Sequence, residues 1–229
     1  MSYISPPKWH SICVSSTQHF PHRSHWFQVE ALLHMHLGKF KSPKVDHRLT
    51  ANKPPLKLLI LGDIQRNATD SMLQILESAS EYFRQGWELK LKPHPATPVN
   101  IADYPDLKLT ITNAHLEQLL PQFHIVIVAI TTSAALEAYA ADLPVISILD
   151  GQDLNFSPLR GTKGGFFVSS ADELRQALDQ IRVPPSFITN SDDFFWTDPV
   201  LPRWKALLGL VERPAIKMSS QVYVEEPLL

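Results

Sequence analysis

The sequence predicts an α/β fold: a doubly wound, mainly parallel sheet in the middle of the chain. Three observations predict it. Between Leu56 and Arg182, strand-like runs alternate with helix-like runs, which demands crossover connections and therefore parallel neighbours. Two of the runs, Leu58-Leu59-Ile60-Leu61 and Ile125-Val126-Ile127-Val128-Ala129-Ile130, are continuously apolar, as strands covered on both faces are. The length, 229 residues, holds one such domain with extensions on either side.

Residues 1–55 open the chain without a sustained period. Pro6, Pro7, Pro21, Pro43, Pro54 and Pro55 interrupt it, and proline ends or kinks helices. A helix is expected only at Trp26 to Leu37, on partly amphipathic spacing. The first 56 residues hold seven Lys and Arg against Glu30 and Asp46, a balance of +5, and seven of the ten histidines precede residue 48. We expect an irregular basic segment or the remnant of a linker rather than a domain.

The next elements follow in order. Lys57 to Asp63 is a buried strand running into a turn. Thr69 to Arg84 is a helix with Met72, Leu73, Leu76, Ala79 and Phe83 on one face. Trp87 to Lys92 alternates apolar and charged residues, a strand period. Leu107 to Thr112 is a strand, His115 to Leu120 a short helix, and Ile125 to Ile130 a central strand. Thr132 to Ala141 is a helix, Pro144 to Leu149 and Phe166 to Ser169 are strands, and Ala171 to Ile181 is a helix capped by Ser170. The organisation of 56–182 is Rossmann-like. Residues 183–229 hold Phe194-Phe195-Trp196, a helix at Leu201 to Leu210, and a tail.

Composition narrows the class. Apolar residues are 44% and charged residues 19%, enough for a packed core and too apolar for wholesale disorder. The net charge of -2 argues against a general nucleic-acid binder. The single Cys13 excludes an internal disulfide or a cysteine zinc ribbon. An apolar run of six residues falls short of the roughly 20 that span a bilayer. With no charged-then-apolar leader, the expectation is a cytoplasmic protein. The basic opening segment is a candidate for peripheral contact with the inner membrane face.

Open parallel sheets bind ligands outside the carboxyl ends of their strands, which selects four loops. The first, Gly62-Asp63-Ile64-Gln65, lacks both the Gly-x-Gly-x-x-Gly of dinucleotide folds and the Lys-Ser/Thr of a P-loop. Gly62 suits a turn; Asp63 is either a ligand for a hydroxyl or a turn aspartate. In the second, Lys92-Pro93-His94-Pro95, two prolines stiffen the chain around His94. His94 can donate to a phosphate oxygen while Lys92 adds charge, or it is a solvated turn residue. The third, Thr131-Thr132-Ser133, opens a helix with hydroxyls. A helix start attracts phosphate, and the same hydroxyls serve as ordinary caps. Glu137, one turn on, can accept from ribose hydroxyls or lie on an exposed helix face. The fourth runs from Asp150 to Gly161. Asp150, Asn155, Ser157 and Arg160 can contact a sugar, base or anion there, or shape a surface loop.

These residues carry a resemblance. Ser133-x-x-x-Glu137-Ala138 with Leu143-Pro144-Val145-Ile146 resembles the C-terminal, donor-binding half of GT-B glycosyltransferases; Asp142 stands where that family commonly has glycine. Lys92-Pro93-His94-Pro95 with Thr132-Ser133 resembles the His-Pro and Ser motifs of bacterial sialyltransferases and polysialyltransferases. Residues 56–208 resemble the bacterial surface carbohydrate biosynthesis family of glycosyltransferases. Gly62-Asp63, Thr132-Ser133-Ala134-Ala135, Asp150-Gly151, Asn155-x-Ser157-Pro158-Leu159-Arg160-Gly161 and Asp198-x-x-Leu201-Pro202-Arg203-Trp204 carry this likeness.

The resemblance implies inverting, metal-independent transfer of a sugar, sialic-acid-like and CMP-linked, to a glycan acceptor, with no cofactor. It implies His94 as the catalytic residue and Lys92, Thr131, Thr132, Ser133, Gly62 and Asp63 as the phosphate cradle. Glu137 falls at the ribose, and Asp150, Asn155, Ser157 and Arg160 at the sugar or base. Only the second GT-B half is recognisable, so a fragment, or a partner chain supplying the other half and its general base, is expected. The alternatives are a non-catalytic nucleotide-binding subunit, a sugar-nucleotide 2-epimerase, and metal binding by His19, His22, His25, His34 and His36.

Overall fold

The computed structural model describes residues 12–14, 26–32, 35, 37, 55–129, 132–149, 151, 155, 157, 159–162, 164–182, 196 and 198–210. His19, His22, His25, His34 and His36, Thr131, Asp150 and Phe194-Phe195 lie outside the described residues. The chain divides into two compact units, residues 1–35 with 195–229, and residues 36–194.

The larger unit is a six-stranded sheet in which every pairing is parallel. Its strands are β3 (Leu56–Leu61), β4 (Trp87–Lys92), β5 (Leu109–Ile111), β6 (Ile125–Ala129), β7 (Val145–Ile148) and β8 (Gly165–Val168). They lie in the order β5-β4-β3-β6-β7-β8, the doubly wound order whose direction of growth reverses between β3 and β6. The α/β, Rossmann-like expectation holds.

Register assigns the two faces. Leu58 and Ile60 of β3 align with Leu89 and Leu91 of β4 and with Ile125 and Ile127 of β6. These residues form one buried core with Met72, Leu73 and Leu76 of α1 (Arg66–Ser78) and Leu174, Ala177 and Leu178 of α4 (Ala171–Arg182). Each fully buried leucine or methionine there contributes about 1.5–3 kcal/mol over an exposed one. The opposite face carries Leu59, Leu61, Val126 and Val128, all buried. Helix α3 (Ala134–Ala140) packs on β6 and β7 with residues that do not belong to the first core, so it covers this second face. A four-residue α2 (Leu116–Leu119) lies in the connection from β5 to β6.

Local chemistry sets the helix ends. Ser170 accepts the Glu173 N–H at 3.2 Å, the expected cap. Helix α3 ends in a Schellman motif: the Asp142 N–H donates to the Tyr139 carbonyl at 3.0 Å and the Leu143 N–H to the Ala138 carbonyl at 3.2 Å. Asp142 takes φ 60° there. Glycine fills such a left-handed position most easily. The helix expected over Thr69 to Arg84 starts earlier, at Arg66, and passes into a 3₁₀ turn, Ser80–Phe83. That turn joins Tyr82 and Phe83 to Trp87 in an aromatic cluster with ring centroids 5.6–5.8 Å apart.

The smaller unit corrects one expectation. Trp26–Gln28 is not the start of a helix but a strand, β2, parallel to β1 (Ile12–Val14). Backbone pairing with β1, and the strand preference of Trp, Phe, Ile and Val, override a weak helical period. Beyond β2, Glu30 is buried and its two carboxylate oxygens accept the Arg203 and Trp204 N–H groups at 3.0 and 3.1 Å. It caps α5 (Pro202–Leu207), shorter than the helix expected over Leu201 to Leu210. The Trp204 indole donates to the Glu30 carbonyl at 2.8 Å, and the Arg203 guanidinium lies 3.6 Å from the Trp196 ring centroid. Leu201, at φ 55°, turns the chain into α5.

Candidate functional site

The carboxyl ends of β4, β3, β6 and β7 stand side by side, and the four loops selected from the sequence leave from those four ends. The two innermost, after β3 and β6, flank the point where the sheet changes direction, the usual crevice for a ligand in such sheets.

The loop after β3 is locked to the loop after β4. The Gly62 N–H donates to the Lys92 carbonyl at 2.9 Å. A Cβ on Gly62 would lie 3.0 Å from the His94 nitrogen and 3.1 Å from the Pro93 Cα. Glycine is therefore required for close backbone approach, not for a turn conformation. Thr97 adds a second tie, its hydroxyl donating to the Asp63 carbonyl at 2.7 Å. Asp63 is buried. Its N–H donates to the Thr69 hydroxyl oxygen at 2.8 Å and its Oδ1 accepts the Gln65 N–H at 2.9 Å. These bonds shape the entrance to α1.

His94 is half-buried and its Nδ1 accepts the Ala96 N–H at 3.2 Å. With Nδ1 as acceptor, a neutral ring carries its proton on Nε2. A donor is thus set at the edge of the loop, with the His94 carbonyl itself held by the Thr97 N–H at 2.9 Å. Lys92 aligns with Leu61 across β3 and β4, and Leu61 with Val128 across β3 and β6. Its side chain therefore leaves on the second face, the face that α3 covers.

At the start of α3, Thr132 does the capping: its Oγ1 accepts the Ala134 N–H at 3.3 Å. Ser133 is exposed and makes no capping bond. The Ser133 hydroxyl is exposed, and half-buried Thr132 keeps its O–H as a donor. Glu137 follows on the next turn, half-buried. The ends of β4 and β6 are separated by β3 alone, so the two loops start roughly 10 Å apart.

In the fourth loop, Asn155 and Ser157 turn their side chains on the loop's own backbone. Asn155 Oδ1 accepts the Ser157 N–H at 3.0 Å, and Ser157 Oγ accepts the Leu159 N–H at 3.3 Å. Buried Leu159 anchors the loop. A ligand contact from Asn155 would fall to its amide nitrogen; Arg160 is exposed.

The sequence reading passed over Thr97, Thr69 and Arg66. Arg66 Nε lies 3.0 Å from both Asp70 oxygens, and its Nη1 donates to the Pro98 carbonyl at 3.1 Å. Tyr104 also donates to Asp70, at 3.0 Å. Burial, reinforced by that bond to a carboxylate, pushes the Tyr104 phenol up to about 12. Together these groups pin the far end of the His94 loop to α1. Threonines scattered in a helix and a loop carry no recognisable spacing, so only the pairing across strands identifies them. Among the described residues no cluster of His, Cys, Asp and Glu could hold a metal ion. None of the described helices is long and apolar enough to cross a membrane.

The sequence matches no family model and no curated protein. Solved structures do match. A Listeria monocytogenes protein assigned as a UDP-N-acetylglucosamine 2-epimerase superposes with a TM-score of 0.56 at 14% identity, over 85% of this chain and 57% of its own. MurG of Acinetobacter baumannii gives 0.51 at 14%, over 80% and 55%. UDP-GlcNAc 2-epimerase of Methanocaldococcus jannaschii gives 0.50 at 14%, over 71% and 50%. The domain has the fold of one GT-B half. The chain spans only 50–57% of the length of these three proteins. At such identity the likeness concerns the fold, and the chemistry of the site has to be argued from this chain's own residues.

Proposed function

We propose that the Rossmann-like unit is the donor-binding half of a GT-B glycosyltransferase. In this reading it transfers a sialic-acid-like sugar from a CMP-sugar during bacterial surface polysaccharide synthesis. The observation that supports it is the placing of Lys92, His94 and the α3 start around the end of β3, with Lys92 and α3 on one face of the sheet. The His94 Nε2–H, the Lys92 ammonium and the Ser133 hydroxyl would meet the phosphate. They would stabilise negative charge growing on it as the sugar departs, as preorganised donors do. Glu137 would hold the ribose. The base that deprotonates the acceptor would come from an N-terminal half, on a further segment or a partner chain.

Titration of the full chain with CMP, UDP and GDP by calorimetry tests this. CMP binding below millimolar, weakened by His94→Ala and Ser133→Ala, is the expected result. No binding by any of the three ends the donor reading. A second reading, a sugar-nucleotide 2-epimerase-like protein, draws on the fold shared with the two 2-epimerase structures. UDP bound in clear preference to CMP would favour it.

A further inference from the structure

Parallel sheets are normally covered on both faces, and their strands read as continuous apolar runs. Here β6 is apolar throughout and β3 from Leu58 to Leu61, while β4 alternates. Glu88, Lys90 and Lys92 alternate with buried Leu89 and Leu91. By register they share the second face with Lys57 of β3 and Thr110 of β5. The connection that could have covered this flank contains only the four residues of α2 and a 3₁₀ turn, Leu120–Gln122. The flank is solvated as a result: the Lys57, Glu88 and Lys90 side chains are 40%, 38% and 27% exposed.

One carboxylate serves two lysines. Glu88 lies 3.7 Å from the Lys57 ammonium and 3.9 Å from that of Lys90, while Lys92 has no ion-pair partner among the described residues. Among the described residues, Glu88 is thus the carboxylate paired on this row of three ammonium groups. Steps of about 6.6 Å separate successive side chains along a strand on one face. The row ends at Lys92, next to the His94 loop. The Lys90 ammonium also lies over the Phe123 ring, 5.8 Å from its centroid, within cation–π range.

We propose that this lysine row is a binding track for an anionic glycan, whose carboxylates pair with Lys57, Lys90 and Lys92 and whose end is thereby led to the His94 loop. The choice of a glycan rests on the donor reading; the track itself rests on the sheet face. A nucleic acid is the less fitting polyanion, because the whole chain carries a net charge of -2 and such partners meet broad basic surfaces.

The test uses the full chain, with oligogalacturonate as the carboxylated probe, maltohexaose as the neutral one and a single-stranded oligonucleotide as the rival. Binding of oligogalacturonate that weakens with added salt, with little binding of maltohexaose, is expected. Lys57→Gln and Lys90→Gln should each weaken it about threefold, and the double variant about tenfold, while CMP affinity stays as in the wild type. Absence of oligogalacturonate binding, indifference to the double variant, or tighter binding of the oligonucleotide overturns the proposal. CMP titration of the wild type is read separately, so failure of the donor reading appears as lost nucleotide binding with the glycan response intact.

Discussion

Gly62→Ala is the sharpest probe of the site, because a single methyl group tests whether the β3 and β4 loops act as one body. The backbone at Gly62 is not left-handed, so alanine is conformationally allowed and the effect is steric. The new Cβ would sit 3.0 Å from the His94 nitrogen, 3.1 Å from the Pro93 Cα and 3.5 Å from the Lys92 oxygen. Ordinary contacts are longer than the first two, and all three atoms are backbone, in a segment that Pro93 and Pro95 stiffen. Relief requires the His94 loop to move out by a few tenths of an ångström, which also stretches the 2.9 Å bond from the Gly62 N–H to the Lys92 carbonyl. Overpacking of this kind costs about 1–3 kcal/mol. For a chain of this size that lowers Tm by about 2–12 °C. Thermal unfolding measures the loss, and the His94 imidazole resonances report displacement of the ring. A Tm within about 1 °C of wild type, with unmoved His94 resonances, would refute the close-approach argument and the rigidity assigned to the site.

Four other outcomes follow. Thr97→Val, which deletes the 2.7 Å bond to the Asp63 carbonyl, should destabilise by about 1 kcal/mol, and Thr97→Ser should restore most of it in chemical denaturation. Glu30→Ala strips the acceptor from two N–H groups at the start of α5; a loss of about 1–2 kcal/mol should be seen by tryptophan fluorescence during unfolding. Asp142→Gly removes a side chain from the left-handed position at the end of α3 and should raise stability by about 0.5–1 kcal/mol. The Tyr104 phenol is raised to about 12 in the folded state from 10.0. Its contribution is complete below about pH 10 and is lost as pH rises towards about 12, so Tyr104→Phe should flatten the alkaline limb of the stability profile.

The amino-acid order by itself determined the layers. Continuous apolar runs at 58–61 and 125–129 become central strands because only a strand covered on both faces can be apolar at every position. Amphipathic runs become the covering helices, and the crevice rule then names the loops at the strand ends. Tertiary structure decided what no spacing encodes. Strand order brought the loops after β3 and β4 into backbone contact, so that Gly62 serves close approach and Asp63 turns inward. It gave the cap of α3 to Thr132 and left Ser133 exposed. It turned Trp26–Gln28 into a strand by supplying a partner 14 residues away in register, where local propensity was indifferent. The same division explains the β4 flank: its alternating charges are visible in the sequence, but that they stay in water follows only from the short connection opposite them. Periodicity records which faces are buried. It does not record which neighbours bury them, because those contacts join residues distant along the chain.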